Sequence, residues 1–78
     1  MARVLLFGKL ADVAGWRERV VEAATLSEVT ALLSADPHLG AALSGQGVQV
    51  AVDQVLVRGD APISPSSEVA YLPPMSGG

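Results

Sequence analysis

The chain lacks cysteine, has few aromatic residues and contains no cluster of basic residues. Without cysteine it can form neither a disulfide nor a thiolate metal site, and any sulfur chemistry has to use the chain end. Five Lys and Arg residues against eight Asp and Glu residues give a net charge of −3. This balance disfavours a surface that follows nucleic-acid phosphates and suits a basic protein partner better.

Long hydrophobic runs are also missing. No stretch approaches the roughly 20 apolar residues that cross a bilayer, and no basic segment followed by an apolar one opens the chain. We therefore expect no membrane association and a cytoplasmic location. The single histidine, His38, follows Asp36-Pro37 without companion ligands, so we interpret it as a solvated side chain and expect no bound metal.

Small and aliphatic side chains are abundant instead. Hydrophobic residues make up 50% of the 78 residues and aromatic residues only 4%, so the core has to be built from Val, Leu, Ile and Ala. A chain of this length forms one small domain, which buries about 60 to 65 per cent of its unfolded surface. The mean hydropathy of +0.42 is high for such a domain and indicates that some apolar surface contacts a partner.

The spacing of apolar residues predicts several strands and one main helix. The predicted strands are residues 3–7, 17–23, 48–52, 55–57 and 69–72. The helix begins near Leu26, because Thr25 and Glu28 have the spacing of a capping box, and it stops at Asp36-Pro37. Its apolar stripe consists of Leu26, Val29, Leu32 and Leu33.

The connecting segments carry turn signals. Residues 9–16 and 38–44 are each predicted to hold a short helical turn. Asp53-Gln54 is predicted to be a tight turn between two strands, although this pair is a weaker turn signal than Asn-Gly. The loop of residues 58–67 contains two prolines and is expected to anchor itself in the core through Ile63.

The order of these elements predicts an α+β fold in which one main helix packs across a mixed sheet of about five strands. We assign residues 1–72 to the domain and residues 73–78 to an extended C-terminal tail. Pro73 and Pro74 have no backbone N–H, so they end a sheet ladder and are expected to direct the chain away from the body. Gly77 and Gly78 have no Cβ and can enter a narrow channel of another protein. Taken alone, the two glycines indicate no more than a frayed terminus.

Apolar residues near the beginning of the tail predict a partner interface. Phe7, Tyr71 and Leu72 are the candidates on the domain, although a residue such as Phe7 more often belongs simply to the core. Met75 lies beyond two prolines, has no core to join and is therefore a stronger candidate for a contact with a partner. Trp16 fits either an exposed loop or an interface.

The ending Glu68-Val69-Ala70-Tyr71-Leu72-Pro73-Pro74-Met75-Ser76-Gly77-Gly78 resembles the small, sulfur-carrier subunit of molybdopterin synthase. That subunit belongs to the ubiquitin-like β-grasp sulfur carriers, which also include the sulfur carrier of thiamine biosynthesis. Val4-Leu5-Leu6-Phe7 and Ala51-Val52-Asp53-Gln54 are similar to the family as well. The chain departs from it at Asp53, where Asn is more frequent, and at Ser66-Ser67, where Gly-Asp often occurs. The resemblance implies a β-grasp fold with the first and last strands parallel at the centre.

The resemblance also implies a function that depends on the chain end. A ubiquitin-activating-like enzyme would use ATP to adenylate Gly78, and a sulfur donor would then displace AMP to leave a thiocarboxylate. The loaded tail, consisting of Pro73, Pro74, Met75, Ser76, Gly77 and Gly78, would enter the large catalytic subunit of the synthase. There its sulfur would become part of the dithiolene of molybdopterin. The chain itself would bind no cofactor and have no independent active site, and it would act within a hetero-oligomer.

Three alternatives share the fold. A carrier for the thiamine thiazole or a ubiquitin-like protein modifier would use the same activated glycine with another acceptor. Carriers of the thiamine kind resemble shorter chains and generally lack the Pro-Pro pair. A β-grasp interaction module with an inert tail is the third.

Overall fold

The computed structural model describes residues 1–74, which form five strands and three helices. The strands are β1 (Ala2–Leu6), β2 (Glu18–Val21), β3 (Gln49–Val52), β4 (Val55–Val57) and β5 (Glu68–Leu72). The helices are α1 (Gly8–Ala14), α2 (Leu26–Leu33) and α3 (Pro37–Leu43). The five predicted strands are therefore all present, whereas α1 and α3 are full short helices where single helical turns were predicted.

The strands form one mixed sheet in the order β2-β1-β5-β3-β4. The central strands β1 and β5 run parallel, with Val4 opposite Val69 and Leu6 opposite Tyr71. All other neighbouring strands are antiparallel. The α+β, β-grasp fold implied by the resemblance is thus confirmed, including the central position of the first and last strands.

The core lies between one face of this sheet and the helices. Alternate residues of the two central strands point toward it, so Val4, Leu6, Val69 and Tyr71 are buried while their neighbours along each strand are less so. The helices and the loop before β5 complete the same cluster with Leu10, Ala11, Leu26, Val29, Leu33, Leu39 and Ile63. This confirms that aliphatic side chains build most of the core and that Ile63 anchors its loop.

Helix α2 begins with the predicted capping box. The N–H of Glu28 donates to Oγ1 of Thr25 over 3.2 Å, and Oε1 of Glu28 accepts from the N–H of Ala24 over 2.7 Å. The glutamate therefore reaches one residue further back than in the usual box. Leu32 departs from the predicted stripe and is 51% exposed. Successive residues of a helix are rotated by about 100°, so the side chain of Leu32 points to one side of the stripe formed by the buried Leu26, Val29 and Leu33.

Helix α3 begins where α2 was predicted to stop. Oδ1 of Asp36 accepts hydrogen bonds from the N–H groups of His38 and Leu39, and Pro37 occupies the first helical turn. Helix α2 itself ends at Leu33, shortly before the predicted stop, and Asp36 caps the next helix. The side chain of His38 is exposed, in line with a solvated histidine. None of the helices found within residues 1–74 is long and apolar enough to cross a membrane.

The segment around Trp16 joins α1 to β2. Gly15 ends α1 in the left-handed conformation, with φ 82°. Trp16 is half-buried against the edge of the core, and the guanidinium carbon of Arg19 lies 4.5 Å from its ring centroid. The indole is thus packed within the domain and shielded on one side by a cation–π contact.

Side-chain hydrogen bonds stabilise two connections near β5: the hairpin between β3 and β4, and the loop that precedes β5. Asp53 and Gln54 both have positive φ, at 50° and 69°, as a tight hairpin with the twist of its strands requires. Oδ1 of Asp53 also accepts from the N–H of Glu68 over 2.9 Å, which ties the β3–β4 hairpin to the start of β5. In the loop before β5, Oγ of the buried Ser67 accepts from the N–H of Ser64 over 2.9 Å. Ser67, one of the two serines at which the chain departs from the family pattern, therefore stabilises the loop in which it lies.

Candidate functional site

The C-terminal segment leaves the sheet from its central strand. Leu72 is the last residue of β5 and pairs with Gln49 of β3. The next two residues are Pro73 and Pro74, which have no N–H to donate, so the ladder ends here. We call these two prolines the tail root. Met75, Ser76, Gly77 and Gly78, which carry the predicted chemistry and tail contacts, lie outside the described residues.

The tail root packs against the domain. Pro73 is half-buried, and both prolines line an apolar groove of about 220 Å³. The other residues of the groove come from α1, from the end of α3 and from the loop before β3: Lys9, Leu10, Val13, Ala42, Gly45, Gln46 and Val48. The prolines were expected to direct the chain away from the body at once. They contact the body first, because the groove offers their rings an apolar surface.

The three interface candidates on the domain have different surroundings. Phe7 is 43% exposed and follows β1, and its N–H donates to the carbonyl of Tyr71 over 3.3 Å. Leu72 is half-buried at the end of β5. Tyr71 is only 2% exposed, so its ring belongs to the core and is not available to a partner. The period of two along β5 places Tyr71 and Leu72 on opposite faces of the sheet, which corrects their assignment to one patch.

The face of the sheet opposite the helices is open and largely apolar. Strand pairing places Leu56 opposite Ala51, Ala51 opposite Ala70 and Ala70 opposite Leu5, in one row across four strands. Leu56 is 58% exposed. Leu72 lies on this face as well, since it is two residues beyond Ala70. We call this surface the outer sheet face.

Charged side chains lie at the end of this face that is remote from the tail, where Arg3 pairs with Glu68, and at its β2 edge, where Glu18 pairs with Leu5. Nε of Arg3 is 3.0 Å from a carboxylate oxygen of Glu18, and its Nη2 is 3.9 Å from Glu68. These pairs are exposed, so each adds little stability, on the order of 0 to 1 kcal/mol. Because β1 and β5 are parallel, Phe7 and Leu72 lie together at the other end. The apolar part of the outer sheet face therefore adjoins the tail root.

The chain matches the model of the ThiS family over residues 4–78. It belongs to the ThiS family. The match extends through the Pro-Pro and Gly-Gly residues of the C-terminal segment. No curated protein gives a significant match.

Solved structures similar to this ThiS-family chain include small archaeal modifier proteins. Small archaeal modifier protein 1 of Haloferax volcanii shares 29% identity and superposes with a TM-score of 0.84, covering 99% of this chain and 98% of that chain. A second crystal structure of the H. volcanii protein gives 26% identity and a TM-score of 0.76, covering 95% and 97%. The protein of the same name from Methanosarcina acetivorans is 22% identical, with a TM-score of 0.86 and coverage of 99% and 95%, and shows the fold alone. Family and structures together support a β-grasp sulfur carrier or ubiquitin-like modifier.

Leu5 and Leu56 are the residues of the outer sheet face that the sequence did not reveal. Both lie in short apolar runs, Val4-Leu5-Leu6 and Val55-Leu56-Val57, in which alternation between the two faces is invisible. The signal that separates the faces is the register between strands, which depends on contacts distant in sequence. For the ThiS-family chain, this register makes one continuous surface out of residues from four strands.

Proposed function

We propose that this ThiS-family chain is a carrier whose terminal carboxylate, on Gly78, is activated and loaded with sulfur by other proteins. A carboxylate at the chain end is ionised at neutral pH, with a reference pKa of about 3.3 to 3.7, and is a poor electrophile. It therefore needs activation. The observation that carries the proposal is that the central strand β5 continues directly into Pro-Pro-Met-Ser-Gly-Gly, beside an exposed apolar face.

The activation consists of two balanced steps. A carboxylate oxygen of Gly78 attacks the α-phosphorus of ATP and pyrophosphate leaves, which gives an acyl adenylate. A sulfur nucleophile at the oxidation level of sulfide then attacks the acyl carbon, and AMP leaves with the bonding electron pair. In this proposal the ATP is used by a ubiquitin-activating-like enzyme, as the resemblance of the chain end implies.

The outer sheet face supplies the docking surface for this partner. It combines the exposed Leu56 and the half-buried Leu5 and Leu72 with a position next to the tail root, so a protein that covers it also receives the tail. Apolar surface of this kind gains about 25 cal/mol for each Å² removed from water. Phe7 and Leu72 lie at its tail end and extend the contact toward the tail.

The favoured acceptor of the sulfur is the large catalytic subunit of molybdopterin synthase. In this proposal the thiocarboxylate of Gly78 enters that subunit and provides a sulfur of the molybdopterin dithiolene, within a hetero-oligomer. The support is the resemblance of the sequence from Glu68 to Gly78, with its Pro-Pro, apolar, hydroxyl and Gly-Gly residues, to the small subunit of that synthase. Gly77 and Ser76 carry little bulk, which fits passage through a narrow channel.

A second candidate is a protein modifier. The chain is 29% identical, over nearly its whole length, to a structure named as a small archaeal modifier protein. In that case a lysine amine attacks the acyl carbon of the Gly78 adenylate, AMP leaves with the bonding electron pair, and the amine loses a proton to give an isopeptide bond. A sulfur carrier for the thiamine thiazole fits membership of the ThiS family as well.

The test is intact-mass spectrometry of the full chain with a ubiquitin-activating-like enzyme, ATP and hydrosulfide. We expect an oxygen-to-sulfur exchange localised to Gly78. Complementation of strains deficient in molybdenum cofactor or in thiamine then identifies the acceptor, and we expect rescue of the former. An isopeptide to lysine would favour the modifier instead. An unchanged mass under all these conditions would indicate an inert tail and contradict the proposal.

A further inference from the structure

Two glycines in the left-handed conformation face the tail root. Gly47 has φ 84°, and a Cβ built on it would lie 2.7 Å from Cβ of Pro74. Gly8 has φ 53°, and a Cβ there would lie 3.1 Å from Cγ of Pro73. The first distance is shorter than real Cβ contacts, and the second is tight. Both prolines therefore occupy space that is open only because residues 8 and 47 have no side chain.

The other left-handed glycines provide the comparison. Gly15 has φ 82° and Gly59 has φ 74°, and a Cβ at either would meet no atom of residues 1–74 within 4 Å. All four positions favour glycine for backbone reasons, since positive φ is strained for other residues. Close contact with another segment is found at the two that adjoin the tail root. Backbone conformation alone does not account for this difference.

The elements that carry these two glycines are themselves fixed. Gly8 begins α1, next to Phe7, whose N–H donates to the carbonyl of Tyr71. Gly47 lies in the loop between α3 and β3, where Val48 packs against the core. The N–H of Gly45 in the same loop donates to the carbonyl of Ala42 at the end of α3 over 3.2 Å. The prolines thus contact two anchored segments from different parts of the chain.

We infer that Gly47 and Gly8 are positioning residues that hold Pro74 and Pro73 against the domain and thereby set where the reactive tail begins. The inference rests on the proposed function, because it concerns how the carboxylate of Gly78 is presented to the activating enzyme. Four residues follow Pro74, and an extended chain of that length spans about 13 to 14 Å at 3.3 to 3.6 Å per residue. Fixing its starting point on the domain reduces the conformations that have to be lost when a partner binds the tail.

The decisive comparison is Gly47→Ala against Gly59→Ala. Both variants place alanine at a similar positive φ, 84° and 74°, but only the first puts a methyl group against Pro74. The measurement is kcat/KM for adenylation of the full chain by a ubiquitin-activating-like enzyme, followed as ATP–pyrophosphate exchange. We expect kcat/KM of Gly47→Ala to be at least about tenfold lower than that of Gly59→Ala. A reacting group displaced by about 1 Å can lower a rate by about 10²-fold.

A rescue experiment separates positioning from general damage to the fold. Pro74→Gly removes the ring and the Cβ that the new methyl group would meet. On the Pro74→Gly background, Gly47→Ala should therefore lower kcat/KM by no larger factor than Gly59→Ala does. Such non-additivity is expected of residues in contact. Equal rates for the two single variants, or a loss that persists undiminished on the Pro74→Gly background, would overturn the inference.

Contact between the two residues is also measurable without any partner. In the wild-type chain we expect a nuclear Overhauser effect between the Hα protons of Gly47 and the Hβ protons of Pro74, and its absence would contradict the inference. Should Gly47→Ala fail to fold, Gly8→Ala against Gly15→Ala makes the same comparison at Pro73. If wild-type protein with this contact is not adenylated at all, the proposed function fails while the contact stands.

Discussion

The hydroxyl oxygens of Tyr71 and Thr30 lie 2.7 Å apart and join the central strand β5 to helix α2. The ring of Tyr71 is buried among aliphatic side chains, so its single polar atom requires a partner inside the core. Thr30, which is half-buried on α2, provides that partner. Because β5 continues into the tail root, this bond fixes the strand from which the C-terminal segment leaves the domain.

Replacing Tyr71 by phenylalanine should destabilise the domain without affecting transfer. The change removes one hydrogen bond and leaves the hydroxyl of Thr30 without its partner, so we expect a loss of about 1 kcal/mol in the free energy of unfolding, measured with urea. The double variant with Thr30→Val removes both hydroxyls and should recover part of this loss. A Tyr71→Phe protein that is fully stable but not adenylated would show that the hydroxyl serves a partner.

The same residue predicts a pH dependence at alkaline pH. Burial raises the pKa of Tyr71 above its ordinary value of 10.0, although the hydrogen bond with Thr30 opposes the shift. The unfolded state therefore loses the phenolic proton at lower pH than the folded state does. This contribution to stability is fully present below about pH 10 and is lost as the pH rises toward the folded-state pKa. Unfolding curves from pH 8 to 11 should show it as a decline in wild type that is absent from Tyr71→Phe, whose chain has no other tyrosine.

Local signals predicted the elements of this fold better than they predicted its surfaces. The capping box of Thr25 and Glu28 is a short-range pattern with its own hydrogen bonds, and it marked the start of α2. The burial of Tyr71 and the partial exposure of Leu72 depend on which face of the sheet each side chain occupies. A continuous apolar run such as Val69-Ala70-Tyr71-Leu72 fits either assignment. Strand register decides it, and register is set by contacts between residues far apart in the chain.

The same limit applies to the tail root. Pro73 and Pro74 ended the sheet ladder as predicted, because the missing N–H is a property of the residue itself. Their packing against Gly8 and Gly47 could not be predicted, since it joins three segments that are distant in sequence. The helical character of residues 8–14 and 37–43 was underestimated for a related reason: each of these short helices is stabilised by burying one or two residues in the core.

The outer sheet face predicts a difference between two exposed leucines. Leu56 is 58% exposed on that face, whereas Leu32 is 51% exposed on α2, on the other side of the sheet. We expect Leu56→Asp to lower kcat/KM for adenylation by about 30-fold, because a charge placed in an apolar interface costs about 2 kcal/mol or more. Leu32→Asp is the matched control and should leave adenylation unchanged.

Both leucine variants should remain folded, with free energies of unfolding within about 1 kcal/mol of wild type, because each side chain is already more than half exposed. Urea unfolding checks this before the kinetics are compared. Similar adenylation by the two variants would mean that the activating enzyme does not contact the outer sheet face. A selective loss in Leu32→Asp would move the docking surface to the helical side.

The chain end should be needed for transfer and dispensable for stability. Every core residue of the described domain precedes Pro73, so deletion of Gly78 should change the free energy of unfolding by no more than about 0.5 kcal/mol. The same deletion moves the terminal carboxylate back to Gly77, about 3.3 to 3.6 Å short of its original reach, and thiocarboxylate formation should disappear. Gly77→Val tests the effect of a bulky side chain at the neighbouring position. Gly77→Ala adds one methyl group, and its thiocarboxylate formation should lie between that of Gly77→Val and that of wild type. Mass spectrometry measures loading and thermal unfolding measures stability. A protein without Gly78 that still supports cofactor assembly at the wild-type level would show that the sulfur, if any is carried, is carried elsewhere.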